Sequence, residues 1–587
     1  MRTTASSDGY GLILVCHCAN PRIRNASSTN SAISRIPTLG IPSAIAFVSA
    51  ALRELTYPQP LLFKRYTFFN PPPVGRIYIV IAYLSLILFL LFYQSIVTGP
   101  MYWESIAYRA AWCSVGQVPL IFLLAMKNSI VGTLIGSSHD RINFLHRTVA
   151  RCLFLTVTIH FSFFWSEWNY YHVVESELVM MPMVKYGMGA YFTLMWIVFT
   201  SFAPIRNIRY EFFVAQHIIS FFVFITMLLL HVPPYARVYV LISIGFFAVD
   251  RILRYARLLY HNLSLFHRKS KSGFACRAHL TVLPGQATRV TIKNPPLASW
   301  SPGQHVFLSF LSISPLQSHP FTIASTPADK ELSFVVRAHA GFSRRLYNRA
   351  TSLLPTTSQA DKEKSFIVFF DGPYGCPPTF LQYDTVVLIA GSTGVTFTMP
   401  ILKQAVQSAS PHCIRRMEFL WIIKAGSHIE WYAEELTRAM ELAEDRGIEL
   451  IITCCITCDP TYTTNHPIRP PPRKCTCCCN DNATDNEKED NNSLVSSISS
   501  QEALAPCSCM NRRENISVCV SAGRPDIREV VDRNLRCARG ETGVAVCGPV
   551  GLMARTRNVV AELSDERGAG KGTGAYGVSL FGEGFGW

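Results

Sequence analysis

The 587-residue chain is poor in charge: Asp, Glu, Lys and Arg make up 16% of it, against about 25% in an ordinary soluble domain. That scarcity excludes a molecule that meets water on every side. With 49% hydrophobic residues, the chain has apolar surface to offer to lipid. The shortage is concentrated. Residues 77–97, IYIVIAYLSLILFLLFYQSIV, hold no charge at all and are long enough to cross about 30 Å of hydrocarbon. Five more apolar stretches follow at about 106–126, 145–165, 184–203, 211–231 and 237–257, separated by breaks rich in Pro or charge, which predicts six spans before residue 260. The run at 41–52 is too short to make a seventh, and GLILVCHC near the start lacks the layout of a signal peptide. A chain of this length does not fit around one core, so several domains are expected.

Acidic residues are the scarcer sign, 39 against 54 Lys and Arg, for a net charge of +15. The excess sits between the spans. Lys64, Arg65 and Arg76 precede span one, Lys127 and Arg141 lie between two and three, and Arg206 and Arg209 between four and five. Arg251, Arg254, Arg257, Arg268, Lys269 and Lys271 close the series, whereas Glu167, Glu175 and Glu177 lie between three and four. The positive-inside rule then puts the N-terminus and everything after residue 260 in the cytoplasm. No nucleic-acid partner is needed to explain the charge.

Histidine pairs mark two of the spans. His146 and His160 lie 14 positions apart in the third, and His217 and His231 lie 14 apart in the fifth. Fourteen helical positions rise about 21 Å and return to within about 40° of the same face. In antiparallel helices His146 therefore meets His217 near the cytoplasmic end, and His160 meets His231 near the outer end. Imidazoles in hydrocarbon are costly unless bonded to something. Two that face each other suit a haem with both axial positions filled, which passes electrons and does not bind oxygen at its metal. Zinc fits less well, because two ligands per site fall short of its usual four. His139, His172 and His261 lie in loops without a matched partner and read as solvated. Arg147 and Arg151 either neutralise haem propionates or snorkel to the interface.

From about residue 272 the pattern changes to short alternating strands, as in HVFLSF, LSFVVRA and SFIVFFDGPYG, which predicts a small antiparallel barrel. Inside it HPFTIAS, residues 319–325, follows shortly after SPGQH. Next, DTVVLIAGSTGVTFTMPILKQAVQ reads as a buried strand, a glycine turn and a helix, the arrangement that sets phosphates on a helix N-terminus. That glycine turn is not the Rossmann GxGxxG. Further strands are expected at RMEFLWIIKAG, GIELIITCCIT and GVAVCGPVGLM. Residues 454–519 hold ten of the 19 cysteines around a polar stretch too poor in apolar residues to pack. Cytoplasmic thiols stay reduced, so a disulfide framework is not expected. The cluster lacks a regular four-ligand spacing and reads either as a site for zinc, copper or iron or as an irregular inserted loop.

The paired histidines, FLHRTVAR at the head of the third span, and HPFTIAS, GFS and CGP in that order make the chain resemble the fungal ferric reductases of the NADPH oxidase superfamily over about residues 60–587. Thirteen residues intervene in both histidine pairs, as in ferric reductases; superoxide-producing oxidases usually have twelve in the second. The resemblance implies an α-helical membrane bundle followed by a ferredoxin-reductase-like module. Its parts are an N-terminal cytoplasmic segment (1–75), a six-helix haem-binding domain (76–258), an FAD-binding β-barrel (272–385) and an NADPH-binding α/β domain (386–587) carrying the cysteine-rich insertion at about 458–516.

Site residues follow from the same resemblance. Two b-type haems fall to His146, His160, His217 and His231. FAD falls to His319, Pro320, Phe321 and Thr322, with Phe321 against the isoalloxazine and Thr322 bonded near its reactive nitrogen, to Arg337 on a following strand, and to Gly341 and Ser343 at the pyrophosphate. NADPH falls to Gly391, Gly394 and Thr396 in the glycine turn, where the family prefers a glycine in place of Ser392, and to Cys547, Gly548 and Pro549 beside the nicotinamide. Lys424 and Arg524 are either anchors for the adenosine phosphate or ordinary surface charge. Trp587 is a candidate cover for the flavin, so Thr322, Cys547 and Trp587 are the residues expected at the reacting centre. The implied activity is NADPH-dependent reduction of external ferric or cupric chelates, at the plasma membrane or at an endomembrane such as the vacuole's, with an iron-uptake permease or oxidase as partner. Two rivals stay open: a superoxide-generating NADPH oxidase, and a non-catalytic scaffold that has kept the fold.

Overall fold

The computed structural model describes residues 48, 51–61, 70–96, 99, 102–263, 276–297, 299–315, 317–353, 365–408, 412–459, 519–566 and 577–584. The cysteine-rich insertion past Asp459 and the terminal Trp587 lie outside the described residues. Two compact units divide the chain, chiefly residues 51–380 with 399–404, and residues 381–398 with 405–587.

The first unit opens with six long helices: α1 (Val74–Phe92), α2 (Tyr102–Ala125), α3 (His139–Tyr170), α4 (Pro182–Thr200), α5 (Tyr210–His231) and α6 (Arg237–Asn262). They coincide with the six apolar stretches. By length and composition, α1, α2, α3 and α5 can each cross a membrane. The other two are less apolar: α4 begins with Lys185 and two glycines, and α6 carries Asp250, Arg251, Arg254 and Arg257 in its second half. The outward faces are greasy. Phe212 is 68% and Ile219 65% exposed on α5, whereas Phe224 and Ile225 of the same helix turn inward. Val115, Val118, Leu153, Leu194 and Val240 join them in a common core. A helix apolar on its outer face as well as its inner one belongs in lipid.

Six strands complete this unit: β1 (Arg277–Leu283), β2 (Ala287–Lys293), β3 (His305–Phe310), β4 (His319–Thr322), β5 (Glu331–Arg337) and β6 (Phe366–Tyr374). All pairings are antiparallel, in the order β4-β3-β6-β1-β2-β5. Just past β4, Ala324 N–H donates to Ser333 O of β5 at 2.8 Å, so the two edges curl towards each other. Period-two alternation explains the sheet: in β3, Val306, Leu308 and Phe310 are fully buried while their neighbours are not. Helix α7 (Phe342–Thr351) adds Phe342 and Leu346 to the core.

The second unit is a parallel sheet in the order β10-β9-β8-β7-β11-β12, with β7 (Thr385–Gly391), β8 (Arg416–Ile423), β9 (Glu449–Ile456), β10 (Cys519–Ala522), β11 (Thr542–Cys547) and β12 (Val578–Glu583). Helices α8 (Val395–Gln407), α9 (Ala433–Asp445), α10 (Ile527–Cys537) and α11 (Val550–Glu566) alternate with the strands. Every residue of β7 and β11 is buried, which is why both read as unbroken apolar runs. The strand order reverses between them. Such a switch point opens a crevice at the carboxyl ends of the strands.

Candidate functional site

The histidines sit on α3 and α5. His160 and His231 face each other with ring centroids 6.1 Å apart. Two imidazoles on opposite sides of one metal, each bonded at roughly 2 Å, put their centroids about 6 Å apart. His146 and His217 lie fourteen residues along the same two helices, with His217 within electrostatic range of His146. Three of the rings are held by main-chain carbonyls: His146 Nδ1 to Ile121 O at 3.0 Å, His160 Nδ1 to Ala107 O at 3.0 Å and His231 Nδ1 to Met183 O at 2.9 Å. A carbonyl only accepts, so in the neutral ring Nδ1 carries the proton and Nε2 keeps its lone pair for a metal. His217 Nδ1 is buried and has no partner among the described residues.

The surroundings are cut to these rings. A Cβ at Gly187 of α4 would stand 2.5 Å from His231 Cε1 and 2.6 Å from its Nδ1, so only glycine leaves the ring its place. On α2, Ala107 and Ile121 are themselves 14 residues apart and run antiparallel to His160 and His146, so one helix holds both imidazoles of α3. Between them lies a buried polar chain. Tyr83 OH donates to Gln117 Oε1 at 3.0 Å, Gln117 Nε2 donates to Thr156 Oγ1 at 3.1 Å and to Cys113 O at 3.0 Å, and Ser114 Oγ donates to Thr156 Oγ1 at 2.8 Å. Among the described residues no group of three or more His, Cys, Asp or Glu could hold a metal ion; each histidine pair offers two ligands where tetrahedral zinc takes four. The facing rings of His160 and His231, with His146 and His217 fourteen residues along the same two helices, fit a bis-imidazole haem at each level. At the His146 end, Arg147 lies within electrostatic range of Arg76, Arg151 and Arg206. Arg151 stacks over Phe202 at 5.3 Å, and Arg76 over Phe144 at 4.9 Å.

The sheet edge of the first unit gathers the flavin motif. In β4, His319, Pro320, Phe321 and Thr322 pair with Leu308, Phe307, Val306 and His305 of β3. His319 stacks on Phe342 at 4.6 Å, which brings HPFT against the GFS segment. There Gly341 has φ +60°, a conformation that favours glycine, and Ser343 Oγ accepts from His339 N–H at 3.0 Å at the start of α7. Arg337 ends β5 close by in the chain. Burial lowers the His319 pKa, and Glu211 opposes it. Glu211 is in the first turn of α5, six residues and about 9 Å of helix rise before His217. The flavin motif therefore lies near the end of the bundle that carries His146 and His217. A donor set of strand edge, aromatic ring and helix N-terminus suits an FAD.

In the second unit the glycine turn and the CGP turn meet at the switch point. A Cβ on Gly394 would collide with Cys547 O at 2.1 Å, and one on Gly391 with Pro549 Cδ at 2.8 Å. The two turns thus need their glycines to reach each other. Ser392 has φ +53°, a left-handed conformation, which explains the preference for glycine there. Its carbonyl accepts from Trp421 Nε1 at 3.0 Å, and Thr396 Oγ1 donates to Thr393 O at 2.9 Å. Cys547 is fully buried; desolvation first, then Glu583, holds its thiol well above the ordinary range, so it is a neutral wall residue. Gly548, with φ +158°, and Pro549 carry the turn into α11. Lys424 and Arg524 are exposed beyond the ends of β8 and β10, on the same edge of the sheet as the crevice.

The sequence reading missed the helix partners. Ala107, Ile121 and Met183 act through main-chain oxygen, which leaves no signature in the side chain; Gly187 had a signal, being a glycine in an apolar span.

Comparison with known proteins matches the description "Ferric reductase like transmembrane component" to residues 110–228, "FAD-binding domain" to 274–378 and "Ferric reductase NAD binding domain" to 383–561. Together they take in more than half of the chain. "Probable cell surface ferric reductase kap2" of Aspergillus oryzae is 28% identical over 65% of this chain and 54% of that protein. Ferric reductase transmembrane component 4 of Saccharomyces cerevisiae is 30% identical over 49% of this chain and 38% of that one. Ferric/cupric reductase transmembrane component 2 of Schizosaccharomyces pombe is 25% identical over 58% and 65%. The chain thus spans between 38% and 65% of the length of these three relatives. With apolar helices, FAD-binding domain and NAD-binding domain in this order, the chain belongs to the ferric reductase transmembrane component family.

Proposed function

We propose that the protein is a transmembrane ferric-chelate reductase that moves electrons from cytoplasmic NADPH to Fe(III), or Cu(II), on the other side of the membrane. The balance is one NADPH and two Fe(III) giving NADP⁺, two Fe(II) and one proton. The observation that carries it is the paired imidazoles at two depths, with Nδ1 of His146, His160 and His231 tied to carbonyls so that Nε2 is free for iron. When bound, FAD would turn a hydride into single electrons and the two haems would relay them.

The chain's own residues supply the positions. Gly391, Gly394 and the Cys547-Gly548-Pro549 turn build the nucleotide crevice, with Lys424 and Arg524 as candidates for the adenosine phosphate that separates NADPH from NADH. β4 and Gly341–Ser343 hold the flavin, and its nearness to Glu211 supports delivery towards His217. The basic residues around Arg147 support a cytoplasmic setting for that end, and the relatives' names support a metal acceptor.

The test is a preparation in membranes given NADPH, with haem spectra, ferric-chelate reduction and superoxide release followed side by side. The proposal expects a reduced b-type haem signal and chelate reduction exceeding superoxide release. Superoxide as the main product would establish the oxidase reading, and a haem-free preparation the scaffold.

A further inference from the structure

Helix α6 does not stop at the bundle. Asp250, 2% exposed, accepts from Asn128 N–H at 3.0 Å and Asn128 Nδ2 at 3.2 Å, which fixes the segment after α2. Beside Asn128, the Lys127 ammonium lies 3.5 Å from the centroid of Phe307 in β3, the residue that pairs with Pro320 of the flavin motif. One turn further along α6, Arg254 Nε donates to Asp371 Oδ2 of β6 at 2.7 Å, while Tyr374 OH donates to Asp371 Oδ1 at 2.6 Å. At the helix end Asn262, 1% exposed, donates through Nδ2 to Phe370 O at 2.7 Å and accepts Phe370 N–H on Oδ1 at 2.9 Å. Its carboxamide pairs with the strand as a neighbouring strand would. The ring of His261 stacks on that of Phe370 at 5.4 Å and 12°.

We propose that this joint sets the distance and angle between the flavin-binding strand and the inner histidine pair, and that Asn262 and Arg254 are positioning residues for the electron step from flavin to inner haem. The inference rests on the function proposed above. Phe370 is already paired to Leu308 of β3 and fully buried in the sheet's own core. The sheet therefore keeps its fold without Asn262; what the carboxamide adds is a fixed place against α6. Hydride delivery to the flavin does not involve these residues.

The full-length, FAD- and haem-loaded protein in detergent, mixed anaerobically with NADPH, separates the two steps by following flavin bleaching and haem reduction in one experiment. Asn262→Leu and Arg254→Met should keep flavin bleaching within twofold of wild type and slow haem reduction at least tenfold. Arg254→Lys, which keeps a cation for Asp371, should recover most of that loss. Hydrogen exchange supplies a readout independent of turnover: in Asn262→Leu the Phe370 amide should lose protection while the β1–β2 amides keep theirs. Haem reduction at the wild-type rate, slowing that merely parallels flavin bleaching, or unchanged protection at Phe370 would overturn the proposal. If wild type reduces no haem with NADPH although dithionite does so, the proposed function falls, and exchange at Phe370 still decides the joint.

Discussion

Gly187 and Ser392 are opposite cases of one constraint. At Gly187 a methyl group would stand 2.5 Å from the His231 ring, so Gly187→Ala should turn that imidazole away and lose about half of the haem, with the His146 and His217 site retained. Haem quantified per polypeptide checks it; a full complement would mean that the ring has room to move. Ser392 already carries a side chain in a left-handed conformation, at φ +53°. Ser392→Gly should relieve about 1 kcal/mol of strain and raise the melting temperature of the nucleotide unit by about 2–4 °C; a fall in that transition would contradict the reading. The facing of His160 and His231 was legible because a 14-residue spacing means the same thing on any helix. Their carbonyl partners were not, since main-chain oxygen is present at every position.

Helices α1, α2 and α3 are tied by the Tyr83–Gln117–Thr156 chain as well as by apolar packing. Gln117→Leu leaves the Tyr83 hydroxyl without its acceptor and should cost the bundle roughly 1–2 kcal/mol. Thr156→Val should cost less, because Gln117 keeps both Tyr83 and the Cys113 carbonyl. Thermal loss of the haem band compares the two, and an equal or reversed order would show that Gln117 is not the hub. Apolar periodicity located the six helices but not their ends. α3 runs from His139 to Tyr170, well past the expected 145–165, and α6 reaches Asn262. Those extra turns carry polar residues that bond to other elements, which a search for hydrophobic runs passes over. Likewise the alternation of β3 was legible, while the order β4-β3-β6-β1-β2-β5 depends on partners distant in the chain.

Across the whole chain, the order of modules could be read because each has its own period: apolar helices, then alternating strands, then buried strands between helices. The joint between α6 and β6 could not, since 108 residues separate Asn262 from Phe370 and half of that contact is main chain. The central claim is an electron path that enters at His146 and His217 and leaves at His160 and His231. Haem reduction by NADPH in His231→Leu and His217→Leu tests it most directly, with dithionite reduction giving the total haem in each. Both should be inactive with ferric chelate. His231→Leu should retain one haem that NADPH reduces; His217→Leu should retain one that stays oxidised with NADPH and is reduced only by dithionite. Identical behaviour of the two retained haems towards NADPH would contradict the pairing by depth or the direction of the path.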